Sequence, residues 1–172
     1  MLVITIPAME MFNEETQEFF TFKEQTLQLE HSLVSLSKWE SKWCKPFLSK
    51  SNKTFEETID YIKCMTITQN VKDDVYLRLT RANIEAINNY IDAPMTATTF
   101  YNDNTKVNKE TTTSELIYYW MIALNIPMEC QKWHLNRLLT LIRVCEVKNS
   151  PPKKTSRRDL MNRYASLNAA RR

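Results

Sequence analysis

The chain contains no glycine in its 172 residues, where an average composition of about 7% would supply about a dozen. Glycine takes positive φ without steric cost and lets backbone approach a phosphate closely. Walker A loops, dinucleotide-binding loops and strand-to-helix nucleophile elbows all rely on it. Without it, none of these sites is built in its usual form. Tight two-residue hairpins lose their preferred residue, although Asn substitutes. Helices lose least, since their interiors exclude glycine anyway. An AT-rich coding sequence would give the same absence, because glycine codons are GC-rich, and the many Asn, Lys, Ile and Thr residues fit that bias. The catalytic exclusion holds on either account.

Paired cysteines are missing too. Cys44, Cys64, Cys130 and Cys145 form no CxxC, and none clusters with the two histidines, His31 and His134. Zinc sites need Cys or His pairs at short spacing to close a tetrahedron. Buried free thiols in a reducing compartment are the expectation. Long apolar runs are absent as well: no window approaches ~18 uninterrupted apolar residues, so no membrane span is expected. The opening MLVITIPAMEM is apolar but lacks the basic region of a signal peptide. An intracellular protein is expected.

What is present is ordinary in bulk, with 43% hydrophobic and 25% charged residues. The length suits one domain with an appendage. Leu2-Val3-Ile4-Thr5-Ile6 reads as a strand stopped by Pro7. Asn13 to Thr16 reads as a turn, Glu18 to Phe22 as a second strand, and Thr26 to Leu29 as a third. A small antiparallel β element over 1–31 is therefore expected. From Ser32 the period becomes helical. Leu33, Leu36, Trp39 and Trp43 share a face, and Lys45-Pro46 ends the run. Thr54 and Glu57 form a capping box that opens a helix with Phe55, Ile59, Ile62 and Met65 on one side. A short helix near Asp73 to Leu79 follows. Thr80 then caps a helix with Ile84, Ile87 and Ile91 in register, which ends before Pro94.

Residues 95–111 are polar and read as a surface loop. Thr112 and Glu115 pattern as a second capping box, opening Leu116 to Leu124. That stretch is nearly all apolar and so is expected to be central and buried. Pro127 starts a new, longest helix whose inner stripe runs through Cys130, Trp133, Arg137 or Leu138, Leu141 and Cys145. The helical domain is placed at 32–149. Beyond Ser150-Pro151-Pro152 the composition shifts. Lys153, Lys154, Arg157, Arg158, Arg163, Arg171 and Arg172 face one acid, Asp159, so this tail carries +6. The whole chain is +3, which leaves residues 1–152 at −3. Leu160, Tyr164 and Leu167 lie four and seven residues apart, as on one face of an amphipathic helix. The tail is placed at 150–172.

Each candidate site competes with a plainer reading. Trp39 and Trp43 suit an aromatic binding surface, or the core, which their helical spacing favours for at least one of them. His134 lies too many turns from Glu146 to pair with it within one helix. No serine or cysteine is placed as a nucleophile, and a structural role for His134 and Arg137, hydrogen-bonded at a helix interface, is favoured. Glu56-Glu57 and Asp73-Asp74 sit at helix starts, where acids offset the helix dipole. No catalytic residue, metal site or cofactor is expected. The basic tail suits phosphate contacts with nucleic acid, or docking on an acidic protein surface through Leu160, Tyr164 and Leu167. The absence of a nucleic-acid motif favours the protein partner.

Three stretches carry a resemblance: Trp39–Leu48 (WESKWCKPFL), Tyr119–Cys145 (YWMIALNIPMECQKWHLNRLLTLIRVC) and Ser150–Arg172 (SPPKKTSRRDLMNRYASLNAARR). With the N-terminal LVITIP, they resemble the tail assembly chaperones of siphoviruses along most of the chain. The resemblance implies a protein of the host cytoplasm that coats the tape measure protein before tail-tube subunits polymerise around it. It further implies absence from the finished virion, with the major tail protein as a second partner and self-association as an open option. A virion head–tail connector and a nucleic-acid-binding accessory factor are the rival expectations. The fold expected is mainly α, with a small N-terminal antiparallel β element and a basic C-terminal helix. Its partner-binding residues are expected to be Trp39, Trp43, Lys153, Lys154, Arg157, Arg158, Leu160, Arg163, Tyr164 and Leu167.

Overall fold

The computed structural model describes residues 1–13, 17–100 and 111–150, together with Met161, Tyr164, Ser166 and Leu167. Alternation in Leu2–Ile6 (β1) and Gln25–Leu29 (β4) puts Ile4, Ile6, Leu27 and Leu29 on one buried face, and the two strands pair antiparallel. Met9–Asn13 (β2) and Glu18–Phe22 (β3) form a second antiparallel pair. The register runs unchanged through the gap: Ile6 faces Gln25, and three positions on, Met9 faces Phe22. The β element is thus one long ribbon of four strand segments, broken where Pro7 has no N–H for the ladder. Three strands were expected. Met9–Asn13 was missed because its apolar residues do not alternate cleanly.

Among the described residues six α-helices follow. Leu33–Trp43 (α1) is capped by Ser32, whose hydroxyl accepts from Ser35 N–H. Phe55–Met65 (α2) opens on the Thr54–Glu57 capping box read from the sequence. Asp73–Leu77 (α3) and Arg81–Asp92 (α4) come next, α4 capped by Thr80. Ser114–Ala123 (α5), a 3-10 helix at Met128–Lys132 and Leu135–Asn149 (α6) complete the described body. The protein is mainly α with a small N-terminal β element, as its periodicities indicate.

Two apolar cores form, and α1 serves both. Trp39 joins Ile4, Ile6, Leu27, Leu29 and residues of α2, α3 and α4 in the first. Leu33 and Leu36 join Ile117, Met121, Leu135, Leu138 and Ile142 in the second. Phe47 packs against both. Glu40, buried on α1, accepts Phe47 N–H at 2.8 Å and Ser114 N–H at 2.7 Å, and so ties the start of α5 to α1. At the joint, Leu135 N–H donates to the His31 carbonyl at 2.7 Å. Asn136 donates to the Ile91 and Ala93 carbonyls, both at 2.9 Å, satisfying orphan acceptors at the end of α4.

The missing glycines leave a visible mark. Five described residues take positive φ without being glycine: Gln17, Cys44, Asn70, Met95 and Asn125. Cys44 ends α1 at φ 51°, its N–H donating to the Glu40 carbonyl at 2.8 Å. Glycine is the usual residue there.

Five sequence expectations need correction. The α5 helix starts from Thr113, not Thr112, and no side chain caps it. It is not buried all round: Ile117 and Met121 are buried in the second core and Tyr118 and Trp120 pack against it, while Tyr119 and Ile122 are exposed. Pro127 opens a short 3-10 helix rather than the long one; α6 starts afresh after His134, the longest at 15 residues. Its buried residues are Leu135, Leu138 and Ile142, with Leu141 and Cys145 partly buried against the same core; of the expected stripe only Arg137 lies outside, exposed and stacked on Trp133 at 4.2 Å. All four cysteines are free, but only Cys130 is buried and Cys44 is exposed. Residues 101–110 of the expected loop lie outside the described residues.

Candidate binding groove

The two tryptophans of α1 part company. Trp39 is 1% exposed, donates its indole N–H to the Glu57 carbonyl at 2.9 Å and meets Phe47 edge-on at 5.1 Å. It is a core residue, and its expected place in a binding surface is corrected. Trp43 stacks on Trp39 at 6.2 Å but stays half-buried, on the wall of a surface groove of about 450 Å3. One turn of helix separates the two, and both indoles bond α2, Trp39 at the Glu57 carbonyl and Trp43 at the Asp60 carboxylate.

The groove lies between α1, α2 and α3. Phe55, Ile59 and Leu77 join Trp43 as its apolar lining. Phe55 is 73% exposed and Leu77 74%, so both stand largely in water although each is large and apolar. Phe55 continues the buried stripe of Ile59 and Ile62 on α2, but the stripe outruns its neighbours at that end. Lys42, Lys63, Glu56 and Asp60 complete the lining.

The rim charges are paired and oriented. Asp60 accepts from Lys42 through one oxygen and from the Trp43 indole N–H, at 2.9 Å, through the other. This fixes the Trp43 ring and holds the Lys42 ammonium above its ordinary pKa. Lys63 bonds Asp73 at 2.7 Å and holds that carboxyl below the usual range. Behind the rim, Lys45 bonds the Glu57 carboxylate at 2.6 Å and, with the Thr54 N–H, lowers its pKa. Glu56 and Glu57 lie in the first turn of α2, and Asp73 and Asp74 in that of α3, the dipole-offsetting placement read from the sequence. Among the described residues no three His, Cys, Asp or Glu side chains gather as a metal site.

His134 is structural, at the joint between the cores. Its Nε2 bonds the Tyr90 carbonyl at 2.9 Å, and its ring lies 5.2 Å from that of His31. His31 Nδ1 bonds the Tyr61 hydroxyl at 2.5 Å. Burial, with His134 alongside, pushes the His31 pKa down to about 4. Arg137, expected beside His134 at a helix interface, points outward instead.

Of the tail residues expected to bind a partner, Tyr164 and Leu167 are helical and exposed, and so is Met161. Lys153, Lys154, Arg157, Arg158, Leu160 and Arg163 lie outside the described residues. Sequence reasoning missed Phe55, Ile59 and Leu77 as a surface. Periodicity reports the direction of a side chain, not whether a neighbour covers it.

No protein-family model matches this chain, and no curated protein or solved structure is significantly similar to it. Among the described residues no helix is long and apolar enough to cross a membrane.

Proposed function

We propose that this protein is a tail assembly chaperone of a tailed phage, acting in the host cytoplasm. Its client is the tape measure protein, and the major tail protein is a second partner. The observation that carries this reading is the groove of Trp43, Phe55, Ile59 and Leu77. An open apolar trough with charges of both signs on its rim suits an amphipathic helix. A long helical tape measure has such stripes and needs them covered until the tube closes around it.

The energetics fit a reversible role. Burying Phe55 and Leu77 under a client helix contributes about 3–6 kcal/mol before ordering costs are subtracted. That favours binding without making release slow. Trp43, already fixed by Asp60, meets the client without a further ordering cost. Titrating helical tape-measure segments into the protein by calorimetry tests the reading. Micromolar binding that weakens at least tenfold in Phe55→Ala/Leu77→Ala is expected. Equal affinity in wild type and variant would sink the assignment of the groove.

A further inference from the structure

The outer half of the β-ribbon is an apolar surface that nothing described covers. Phe12 and Phe19 face each other in register, with ring centroids 5.0 Å apart, and Phe19 is 72% exposed. Met9, an odd number of positions from Phe12, is exposed on the ribbon's other face. Among the described residues, the backbone of 9–13 and of 18–22 bonds only across the ribbon itself. At the inner end of this stretch the Arg78 guanidinium lies over Phe22 at 4.5 Å. A lone two-stranded ribbon is marginal in water and gains most from a cover on its apolar face.

The charge of this stretch names the cover. From Met9 to Phe22 the chain has four glutamates (Glu10, Glu14, Glu15 and Glu18) and no lysine or arginine. The tail from Lys153 carries +6 and has the complementary make-up, basic residues around Leu160, Met161, Tyr164 and Leu167. Met161, Tyr164 and Leu167 are themselves exposed, so among the described residues two apolar surfaces in stretches of opposite charge lie open on one chain. They hang from different cores. The ribbon grows out of the first, through Ile4, Ile6, Leu27 and Leu29, and the tail follows α6, which packs into the second.

We propose that the basic tail of one copy docks on the outer β-ribbon of a second copy. The contact is head-to-tail, because ribbon and tail are different surfaces, so each copy offers one of each. Such contacts repeat into rings or open rows. Burial of Phe12 and Phe19 under Leu160, Tyr164 and Leu167 supplies the attraction. The opposite charges steer approach and set the register. The inference does not rest on the client assigned to the groove.

Two measurements on the full-length chain test it. The first is zero-length carbodiimide cross-linking of mixed unlabelled and 15N-labelled protein. Cross-links from Lys153 or Lys154 to Glu10 or Glu18 that join one light and one heavy copy are expected. Links within one isotope only, or none, would overturn the proposal, since they place the tail on its own chain or nowhere on the ribbon. The second is sedimentation velocity. Wild type is expected to associate with concentration, about tenfold more weakly as NaCl rises from about 50 to 500 mM. Glu10→Lys/Glu18→Lys and Arg157→Glu/Arg158→Glu are each expected to be monomeric, and to associate again when mixed. A wild type that stays monomeric, or variants that associate as it does, would refute the contact.

Discussion

Replacing Glu40 tests the account of how the two cores are joined. The residue is 7% exposed, and its carboxylate is the acceptor for Phe47 N–H and Ser114 N–H, one at each oxygen. Glu40→Ala strands both donors. A buried donor left without a partner costs about 1–3 kcal/mol, more where the lost acceptor was charged. Ser114 is fully buried, so water does not reach its stranded amide. The expected loss is about 3–5 kcal/mol, a large part of a typical total stability of 5–15 kcal/mol. For a chain of this size that lowers Tm by roughly 6–20 °C. Glu40→Gln keeps one acceptor but turns an amide N–H toward the other donor, so about half that loss is expected. Urea unfolding followed by tryptophan fluorescence gives the numbers, with exposed Ser41→Ala as a control expected within about 0.5 kcal/mol. Hydrogen exchange adds the location, since the Phe47 and Ser114 amides should lose protection first. A cost below about 1 kcal/mol for Glu40→Ala would refute the reasoning.

Other predictions follow from single positions. His31 has its pKa depressed from 6.5 to about 4, so the unfolded chain binds the proton first as pH falls. Stability from this group is complete above about pH 6.5 and is lost progressively down to pH 4, about 3 kcal/mol in all. A His31→Gln variant should show a flatter stability–pH curve in that window, and an unchanged slope would contradict the burial argument. Cys44→Gly should stabilise by about 1 kcal/mol, because an exposed residue at φ 51° pays a steric cost that glycine does not. Thermal unfolding checks it, and a destabilised variant would mean that the Cys44 side chain contributes more than the strain costs. Phe55→Ala/Leu77→Ala should change folding stability by less than about 1 kcal/mol, both side chains being largely in water, and a larger loss would show that they belong to the core.

Local rules made much of this fold legible in the sequence. The Thr54–Glu57 box and the Thr80 cap satisfy amides within four residues, so spacing alone reveals them. The stripes of α1, α2 and α4 follow from period. What stayed hidden depends on partners far along the chain. Glu40 meets Ser114 across 74 residues, and His31 sits against His134, a pairing that no spacing announces. Trp39 and Trp43 share a stripe, yet only the neighbouring helix decides which one is covered. The ribbon could have been read further. MEMFN and EFFTF flank a polar turn, which is a hairpin signal, but the adjacent Met11 and Phe12 in the first arm break its alternation. At α5, apolarity all round suggested burial, whereas Tyr119 and Ile122 face outward.

The central claim is that this protein holds a tape measure protein soluble through the groove beside Trp43. Co-expression with a tape measure protein, the proposed client, tests it most directly, comparing wild type with Phe55→Ala/Leu77→Ala. The account predicts soluble co-purification with wild type, and an insoluble, unbound tape measure protein with the equally well folded variant. It also predicts that this chain is missing from purified virions by mass spectrometry. A tape measure protein that stays insoluble beside wild type, with the chain present in the particle, would contradict the chaperone reading and favour a structural connector.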